Sequence, residues 1–238
     1  MIKAAINGVR PHTYHPRLPF DADTAAKESA RCVAAGAGAI HVHVWNAQNQ
    51  ESLAADDVAN FLNAIRAACP GIPVGISSGE WIVPDLAERL KHIQAWDVVP
   101  DFVSLNTDEA DFEKVAGVLL SKNIGIEAGI FNKTAVQAFA AWGKRDQCLR
   151  ILIEPNETTV KAAINNVIQI ETILKDTAPQ LPRLLHGLDE TTWPMVKLAA
   201  ERGYDTRIGF EDSAYLPDGQ MAEFNDELVR AAAKIMSN

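Results

Sequence analysis

The chain has 238 residues, of which 47% are hydrophobic and 22% are charged, and its formal net charge at pH 7 is −9. Its composition is that of a globular protein with enough apolar material for a core. The negative charge argues against binding to nucleic acid or to anionic lipid. No stretch reaches the ~18 uninterrupted apolar residues that a membrane span needs, and the three cysteines are too widely spaced for a disulfide framework. We therefore expect a soluble, cytoplasmic protein that binds neither nucleic acid nor membranes.

Short runs rich in isoleucine and valine alternate along the chain with stretches whose apolar residues recur at helical spacing. Eight strands are predicted, at residues 2–7, 39–44, 73–77, 102–105, 125–130, 150–153, 183–185 and 206–210. Eight helices are predicted after them, at residues 23–35, 54–68, 84–94, 111–122, 133–142, 157–175, 191–202 and 221–236. Because the strands are continuously apolar, we expect them to pair in parallel with both faces covered.

Eight strand–helix units in a chain of this length predict an α/β protein of the (β/α)8 TIM barrel type, with residues 1–238 forming a single domain. The alternative is a doubly wound open sheet. The first predicted strand is followed by NGVRPH rather than by a GxGxxG motif, which weakens the dinucleotide-binding form of that alternative.

Polar side chains end nearly every predicted strand, and the chemistry of such barrels lies at the carboxyl ends of the strands. We expect these residues to surround one opening: Asn7, His41, His43, Ser77, Ser78, Asn106, Glu127, Glu154, His186, Arg207, Glu211 and Asp212.

The run AIHVHV places His41 and His43 on the same side of the second predicted strand, because alternate residues of a strand point the same way. Two imidazoles and a carboxylate form a three-ligand site for a divalent metal, with a position left open. Zn²⁺ suits these ligands best, and Mn²⁺, Fe²⁺ or Co²⁺ are alternatives. The competing interpretation is that one ring bonds a carbonyl group and the other packs. We favour metal binding, because two aligned rings at a strand end lack an apolar explanation.

The third ligand is Glu211 or Asp212, which are adjacent and cannot both face the barrel interior from a strand. Arg207 and Glu211 share one parity, so Glu211 is the better candidate ligand. Asp212 would have to turn with the following loop, which leaves it available as a base. The alternative is that the two acids only cap a helix.

Several of these segments resemble the β-keto acid cleavage enzyme family, whose best-known member is the 3-keto-5-aminohexanoate cleavage enzyme. The segments are HVHV, PVGISSG, FVSLN and TRIGFEDSAYLPDG, and the similarity continues into MAEFNDELVRAAAKI. The resemblance covers most of the chain, and the combination of HVH with RIGFED is specific.

The resemblance implies a TIM barrel that holds Zn²⁺ through His41, His43 and Glu211. It also implies a reaction in which a β-keto acid and acetyl-CoA give acetoacetate and a new acyl-CoA, with the metal acting as a Lewis acid. The resemblance further implies a homo-oligomer, a tetramer by analogy with family members.

Individual roles follow from the same resemblance. Asp212 would remove the proton next to the keto group, and Arg207 would orient that aspartate and keep it ionised. Ser77 and Ser78 match residues that bind the substrate, and Glu127 resembles an acidic residue that pairs near the arginine. Asn106, at the end of the fourth predicted strand, is a further candidate for substrate binding.

The chain also departs from the family pattern. Trp45 and Asn46 follow the HVH motif in place of an Arg-Asp pair, and Gly129 stands where a second acid would follow Glu127. Arg10 lies in a loop that usually bears an acid close to the substrate, which suggests a substrate with a negative distal group. These departures make the metal chemistry better supported than the acetyl-CoA partner.

Two other functions stay open at this point. A metal-dependent hydrolase is one, although amidohydrolase-type sites place HxH on the first strand and further histidines on the fifth and sixth, where this chain has Glu127 and Glu154. A metal- or ligand-binding relative without catalysis is the other. His12 and His186 have no firm assignment from the sequence.

Overall fold

The computed structural model describes residues 1–237 and shows a closed barrel of eight parallel strands in chain order, with β1 pairing with both β2 and β8. The strands are β1 (Ile2–Ala5), β2 (Ala39–Val42), β3 (Val74–Ser77), β4 (Phe102–Asn106), β5 (Gly125–Ile130), β6 (Arg150–Ile153), β7 (Arg183–Leu185) and β8 (Asp205–Ile208). The predicted (β/α)8 barrel is confirmed.

A helix follows every strand. The helices are α1 (Ala22–Ala34), α2 (Ala55–Ala68), α3 (Leu86–Gln94), α4 (Phe112–Ser121), α5 (Lys133–Ala141), α6 (Val160–Thr177), α7 (Thr192–Arg202) and α8 (Asn225–Met236). Several begin where the sequence supplies a capping side chain: Asp21, Asp85 and Asn132 each accept a hydrogen bond from a backbone N–H in the first turn of α1, α3 and α5. Within residues 1–237, no helix is both long and apolar enough to cross a membrane.

The core lies between the strands and the helices, where outward-facing strand residues such as Ile40, Val42 and Ile76 are fully buried. The lower interior of the barrel is polar instead. Lys3 of β1 donates to Glu127 of β5, and both side chains are 0% exposed. Because buried charges require partners, this pair forms a structural layer beneath the carboxyl ends of the strands.

Several predicted boundaries near the site are wrong. β1 ends at Ala5 rather than at residue 7, and β2 ends at Val42 rather than at residue 44, so His43 lies just beyond the strand. β8 ends at Ile208 rather than at residue 210, because the chain turns at once and the N–H groups of Asp212 and Ser213 both donate to the carbonyl of Gly209. Helix α8 begins at Asn225 rather than at residue 221. The segment before it folds back instead, with the N–H of Ala222 donating to the carbonyl of Ala214.

Candidate active site

A cavity of about 670 Å³ opens at the carboxyl ends of the strands. Its lining combines residues from β2, β3, β4 and β8 with residues from the loops that follow β1, β2, β3, β5, β6, β7 and β8. The predicted site residues that line it are Arg10, His41, His43, Ser77, Asn106, Glu154, Arg207 and Glu211. Of the twelve strand-end residues expected around one opening, seven line this cavity, and Asn7, Ser78, Glu127, His186 and Asp212 do not.

His41, His43 and Glu211 come together at this cavity, with one potential ligand atom from each lying within 4.8 Å of the others. The Nε2 atom of His43 is 3.4 Å from Oε1 of Glu211, and Nε2 of His41 is 3.6 Å from Oε2. Two donors on a tetrahedral zinc ion with bonds near 2.1 Å lie roughly 3.4 Å apart. Oε2 of Glu211 is buried and, within the described chain, has no hydrogen-bond partner. The donor types and their spacing therefore fit a divalent metal.

Two residues of the first loop make this arrangement possible. The side chain of Asn7 accepts from the N–H of His43 and donates to the carbonyl of the same residue, so it fixes the end of β2 against β1. Gly8 has a φ of +69°, and a Cβ atom there would lie 2.3 Å from Cγ of Glu211. Glycine at this position both permits the turn and leaves room for the carboxylate.

The charges around Glu211 prepare it to hold a cation. Burial alone would raise the pKa of Glu211, but Arg207 and the two imidazoles hold that pKa well below its usual range. Burial lowers the pKa of His41 well below its usual value. For His43 burial also acts downward, but Glu211 and Glu51 outweigh it and raise the pKa to about 9. A divalent ion would therefore compete with the proton on His43.

Glu51 fixes the orientation of His43. Its Oε1 is 2.5 Å from Nδ1 of His43, and its Oε2 accepts from Nε1 of Trp81 at 2.8 Å. The Trp81 ring is half-exposed and stacks on His43 with 6.4 Å between ring centroids. With Nδ1 held by a carboxylate, Nε2 is the nitrogen left to bind a metal, an arrangement common among zinc-binding histidines.

Arg207 connects the two acids of the RIGFED motif. Its Nε and Nη2 donate to Oδ1 of Asp212 at 3.1 and 2.6 Å, and Nη2 is also 3.2 Å from Oε1 of Glu211. Both acids reach this arginine because β8 ends before them and the chain turns. Asp212 is 0% exposed and lies behind the cavity wall. Its Oδ2 has no hydrogen-bond partner among residues 1–237.

Arg10 lines the cavity, but its guanidinium already has partners within the protein. It forms a two-point ion pair with Asp189, at 2.8 and 3.3 Å, and its Nε donates to the carbonyl of Glu211 at 2.9 Å. Its guanidinium also lies 4.5 Å from the ring centroid of Tyr14. Arg10 therefore ties the first loop to the loop that carries the candidate metal ligand.

The remaining predicted residues lie at different depths in the barrel. Ser77 and Asn106 line the cavity, and Asn106 donates to Glu109. Ser78 is fully buried, and its hydroxyl donates to the carbonyl of Ser104 at 3.3 Å. Glu127 lies beneath the cavity, where it accepts from Ser104 and pairs with Lys3 and Arg150. The predicted catalytic role of Glu127 and the predicted substrate contact of Ser78 stay predictions.

The structure also assigns partners to residues that the sequence left open. Nε2 of His186 donates to Oε2 of Glu154 at 2.8 Å, and Nδ1 of the same ring is 3.3 Å from Oδ1 of Asp212. His12 stacks on Phe20 with 3.6 Å between ring centroids, beside the indole of Trp45.

Sequence reasoning missed Glu51, Lys3 and Asp189. The position of Glu51 depends on a turn in which Asn46 accepts from two backbone N–H groups, and an acid in a polar loop carries no sign of that turn. The one available signal was Lys3, a charged residue in an otherwise apolar strand, which predicts a buried partner.

Comparison with known proteins places the chain in context. Residues 1–238 match the family described as beta-keto acid cleavage enzyme. The 3-keto-5-aminohexanoate cleavage enzyme of Fusobacterium nucleatum subsp. nucleatum is 23% identical over 99% of this chain and 90% of its own length. The 3-oxoadipate:acetyl-CoA acetyltransferase of Cupriavidus necator is 24% identical over 99% of this chain and 87% of its own length.

A solved structure, the ternary complex of ObcA with a C4-CoA adduct and oxalate, superposes with a TM-score of 0.73 at 16% sequence identity. The superposition covers 92% of this chain and 63% of that chain, and at this identity the likeness concerns the fold alone. The family match, in contrast, extends over the whole sequence. The chain belongs to the β-keto acid cleavage enzyme family.

Proposed function

We propose that the protein is a metal-dependent β-keto acid cleavage enzyme that converts a β-keto acid and acetyl-CoA into acetoacetate and a new acyl-CoA. The observation that carries the proposal is the convergence of His41, His43 and Glu211 on one cavity, in a chain that matches this family throughout. The names of the relatives, which include a keto-acid cleavage enzyme and an acetyl-CoA acetyltransferase, support the same substrates.

The two histidines and the glutamate would hold the metal, and Zn²⁺ suits two imidazoles and a carboxylate best. When bound, the ion would supply a Lewis acid for the keto and carboxylate oxygens of the substrate, which makes the carbon between them more acidic. Glu51 keeps His43 in the orientation that this binding needs.

The proton from that carbon needs an acceptor on the protein, and we assign this role to Oδ2 of Asp212. Arg207 binds Oδ1 of Asp212 through two hydrogen bonds and so fixes the orientation of the carboxylate. Burial acts to lower the pKa of Arg207, but Asp212, Glu211 and Glu154 outweigh it and raise that pKa, so the guanidinium stays charged. The same carboxyl group would return the proton to the carbon of acetoacetate.

Ser77 and Asn106 would contact the substrate, because both line the cavity at the ends of neighbouring strands. Ser78 and Glu127 would act indirectly, without contacting the substrate. Ser78 holds β3 to β4 through the carbonyl of Ser104, and Glu127 anchors the charged layer below.

The proposal is tested first by the metal content of the purified protein and then by a panel of β-keto acids with and without acetyl-CoA. We expect about one zinc per chain and release of acetoacetate only when both substrates are present. Turnover with water in place of acetyl-CoA would support a hydrolase instead, and stoichiometric metal without turnover would support a binding protein.

The matched variant is the double substitution His41→Ala and His43→Ala, which should lose both metal and turnover. Zinc retained at one per chain in that variant would show that the ligands lie elsewhere.

A further inference from the structure

The proposed reaction leaves unused a buried histidine that touches the assigned proton acceptor. His186 follows β7, its side chain is 1% exposed, and each of its ring nitrogens faces a carboxylate. Nε2 donates to Glu154 at 2.8 Å, and Nδ1 lies 3.3 Å from Oδ1 of Asp212. Glu154 in turn lines the cavity. His186, which follows β7, therefore links Asp212 after β8 to Glu154 after β6.

Within the part of the chain that the structure describes, the contacts of the Asp212 carboxylate involve only one of its two oxygens. Two nitrogens of Arg207 and one nitrogen of His186 all lie within 3.3 Å of Oδ1. Oδ2 is buried and, among residues 1–237, accepts no hydrogen bond. If Arg207 and His186 served only to neutralise the aspartate, both of its oxygens would be expected to have partners, because an unpaired buried acceptor is destabilising. The arrangement instead fixes one oxygen and leaves the other for a proton.

The barrel leaves space for the carboxylate of Glu154, which accepts a hydrogen bond from His186. A Cβ atom at Gly129 would lie 2.8 Å from Oε1 of Glu154 and 2.8 Å from Oδ1 of Asn106. The glycine on β5 thus leaves space for an acid from β6. Burial and Arg207 act to lower the pKa of His186, but Asp212 and Glu154 outweigh them and raise it. When the ring is protonated, both of its nitrogens are donors, with Nε2 directed at Glu154 and Nδ1 at Asp212.

We propose that His186 is a positioning residue, which together with Arg207 holds Oδ1 of Asp212 and leaves Oδ2 free to accept the proton. Glu154 has the supporting role of fixing the His186 ring. This inference rests on the proposed function, because it presumes that Asp212 accepts the proton.

Two nearly isosteric substitutions separate the two contacts of His186. In His186→Asn the amide lies near the position of Nδ1 and can still reach Asp212, whereas the contact with Glu154 is lost. In His186→Gln the amide lies near the position of Nε2 and can still reach Glu154, whereas the contact with Asp212 is lost. The two variants remove the same ring and the same charge, so each is the control for the other.

We expect His186→Gln to lose on the order of 100-fold in kcat with little change in KM, because a misplaced reacting group typically costs that much. His186→Asn should stay within about tenfold of wild type. Metal content should be unchanged in both, and circular dichroism should show that both are folded. Should His186→Gln fail to fold, His186→Ala takes its place, and the comparison with His186→Asn is the same.

Equal losses of kcat in the two variants, or losses confined to thermal stability, would overturn the proposal and leave His186 as a structural residue. A wild-type protein that binds metal but produces no acetoacetate would instead refute the proposed function, so the two failures are distinguishable.

Discussion

At the scale of single residues, we expect the metal affinity of the proposed site to depend on a carboxylate outside the predicted ligand set. Glu51 holds Nδ1 of His43, and such partners orient a ligand and increase its basicity. We expect Glu51→Gln to weaken zinc binding by about 10- to 100-fold. Competition with a chelator of known affinity measures the change.

The control is Glu80→Gln, which removes an equal charge from an exposed residue beside the neighbouring cavity. It should leave zinc affinity unchanged. Equal zinc affinity in wild type and Glu51→Gln would show that the contact between Glu51 and His43 does not support the metal.

The expectation that Arg10 favours diacid substrates is a second prediction at the scale of residues. The sequence suggested that Arg10 binds a negative distal group of the substrate. In the structure, the Arg10 guanidinium already forms an ion pair with Asp189. A second substrate carboxylate must therefore displace Asp189. We expect Asp189→Asn to lower KM for a β-keto diacid by up to about fivefold, since an exposed ion pair contributes ~0.2–1 kcal/mol.

Arg10→Ala should have the opposite effect and raise KM for the diacid more than for an unbranched monoacid. Steady-state kinetics on both substrates measures the difference. If KM changes by the same factor for both substrates, Arg10 only holds the loop that carries Glu211.

At the scale of elements, the loop after β1 and the turn after β8 must approach closely for Glu211 to reach the histidines. Gly8→Ala would place a methyl group against the Glu211 side chain in a backbone conformation that alanine adopts only with strain. We expect a loss of about 1 kcal/mol or more in stability, together with weaker metal binding. Urea denaturation and zinc titration measure the two effects.

Gly203→Ala is the matched control. Its φ of +68° is nearly the same, but a Cβ atom there meets no other atom within 4 Å among residues 1–237. This variant should lose similar stability and bind zinc normally. Weakened zinc binding in Gly203→Ala as well would mean that strain alone, and not the contact with Glu211, explains the effect.

The end of β8 also shows how far sequence patterns reach. Parity over an assumed strand to residue 210 selected Glu211 and required Asp212 to turn away, whereas both acids reach Arg207 because the strand ends at Ile208. The sequence pattern predicted which residues reach the site, but it did not predict the turn that brings them there. That turn depends on the carbonyl of Gly209 accepting two N–H groups, which hydrophobic periodicity does not encode.

At the scale of the whole molecule, the charged layer inside the barrel stabilises the closed fold beneath the site. Glu127→Gln removes the negative member of the pair with Lys3, both fully buried. Breaking a buried ion pair from one side typically costs about 3–5 kcal/mol. We therefore expect a large fall in the free energy of unfolding in urea, with zinc stoichiometry retained.

Asp205→Asn provides the comparison, because Asp205 is a partly exposed partner of the same Arg150 that pairs with Glu127. Its loss should cost no more than about 1 kcal/mol. A stable Glu127→Gln variant that has lost turnover would instead favour the catalytic role that the family resemblance suggests for Glu127.

The barrel itself was predictable, because eight alternations of apolar strand and amphipathic helix are a property of the sequence alone. The two histidines were predictable for a related reason: they are two residues apart in one apolar run, and alternate residues of an extended chain point the same way, although β2 ends at Val42 and His43 lies just beyond it. The contacts of Glu51, Asp189 and Glu154 were not predictable in this way. They join loops from different strands, and their geometry depends on turns that the periodicity does not describe.

The pairing of β1 with β8, which closes the barrel, links metal binding to folding. His41 and His43 enter the site from β2, and Glu211 enters from beyond β8, so the trio exists only after the first and last strands have paired. An ion that binds all three atoms therefore binds the native state and not the unfolded ensemble. Ion occupancy and global folding are then linked equilibria, and an ion at 100 times its dissociation constant would add about 2.7 kcal/mol to the stability of the entire barrel.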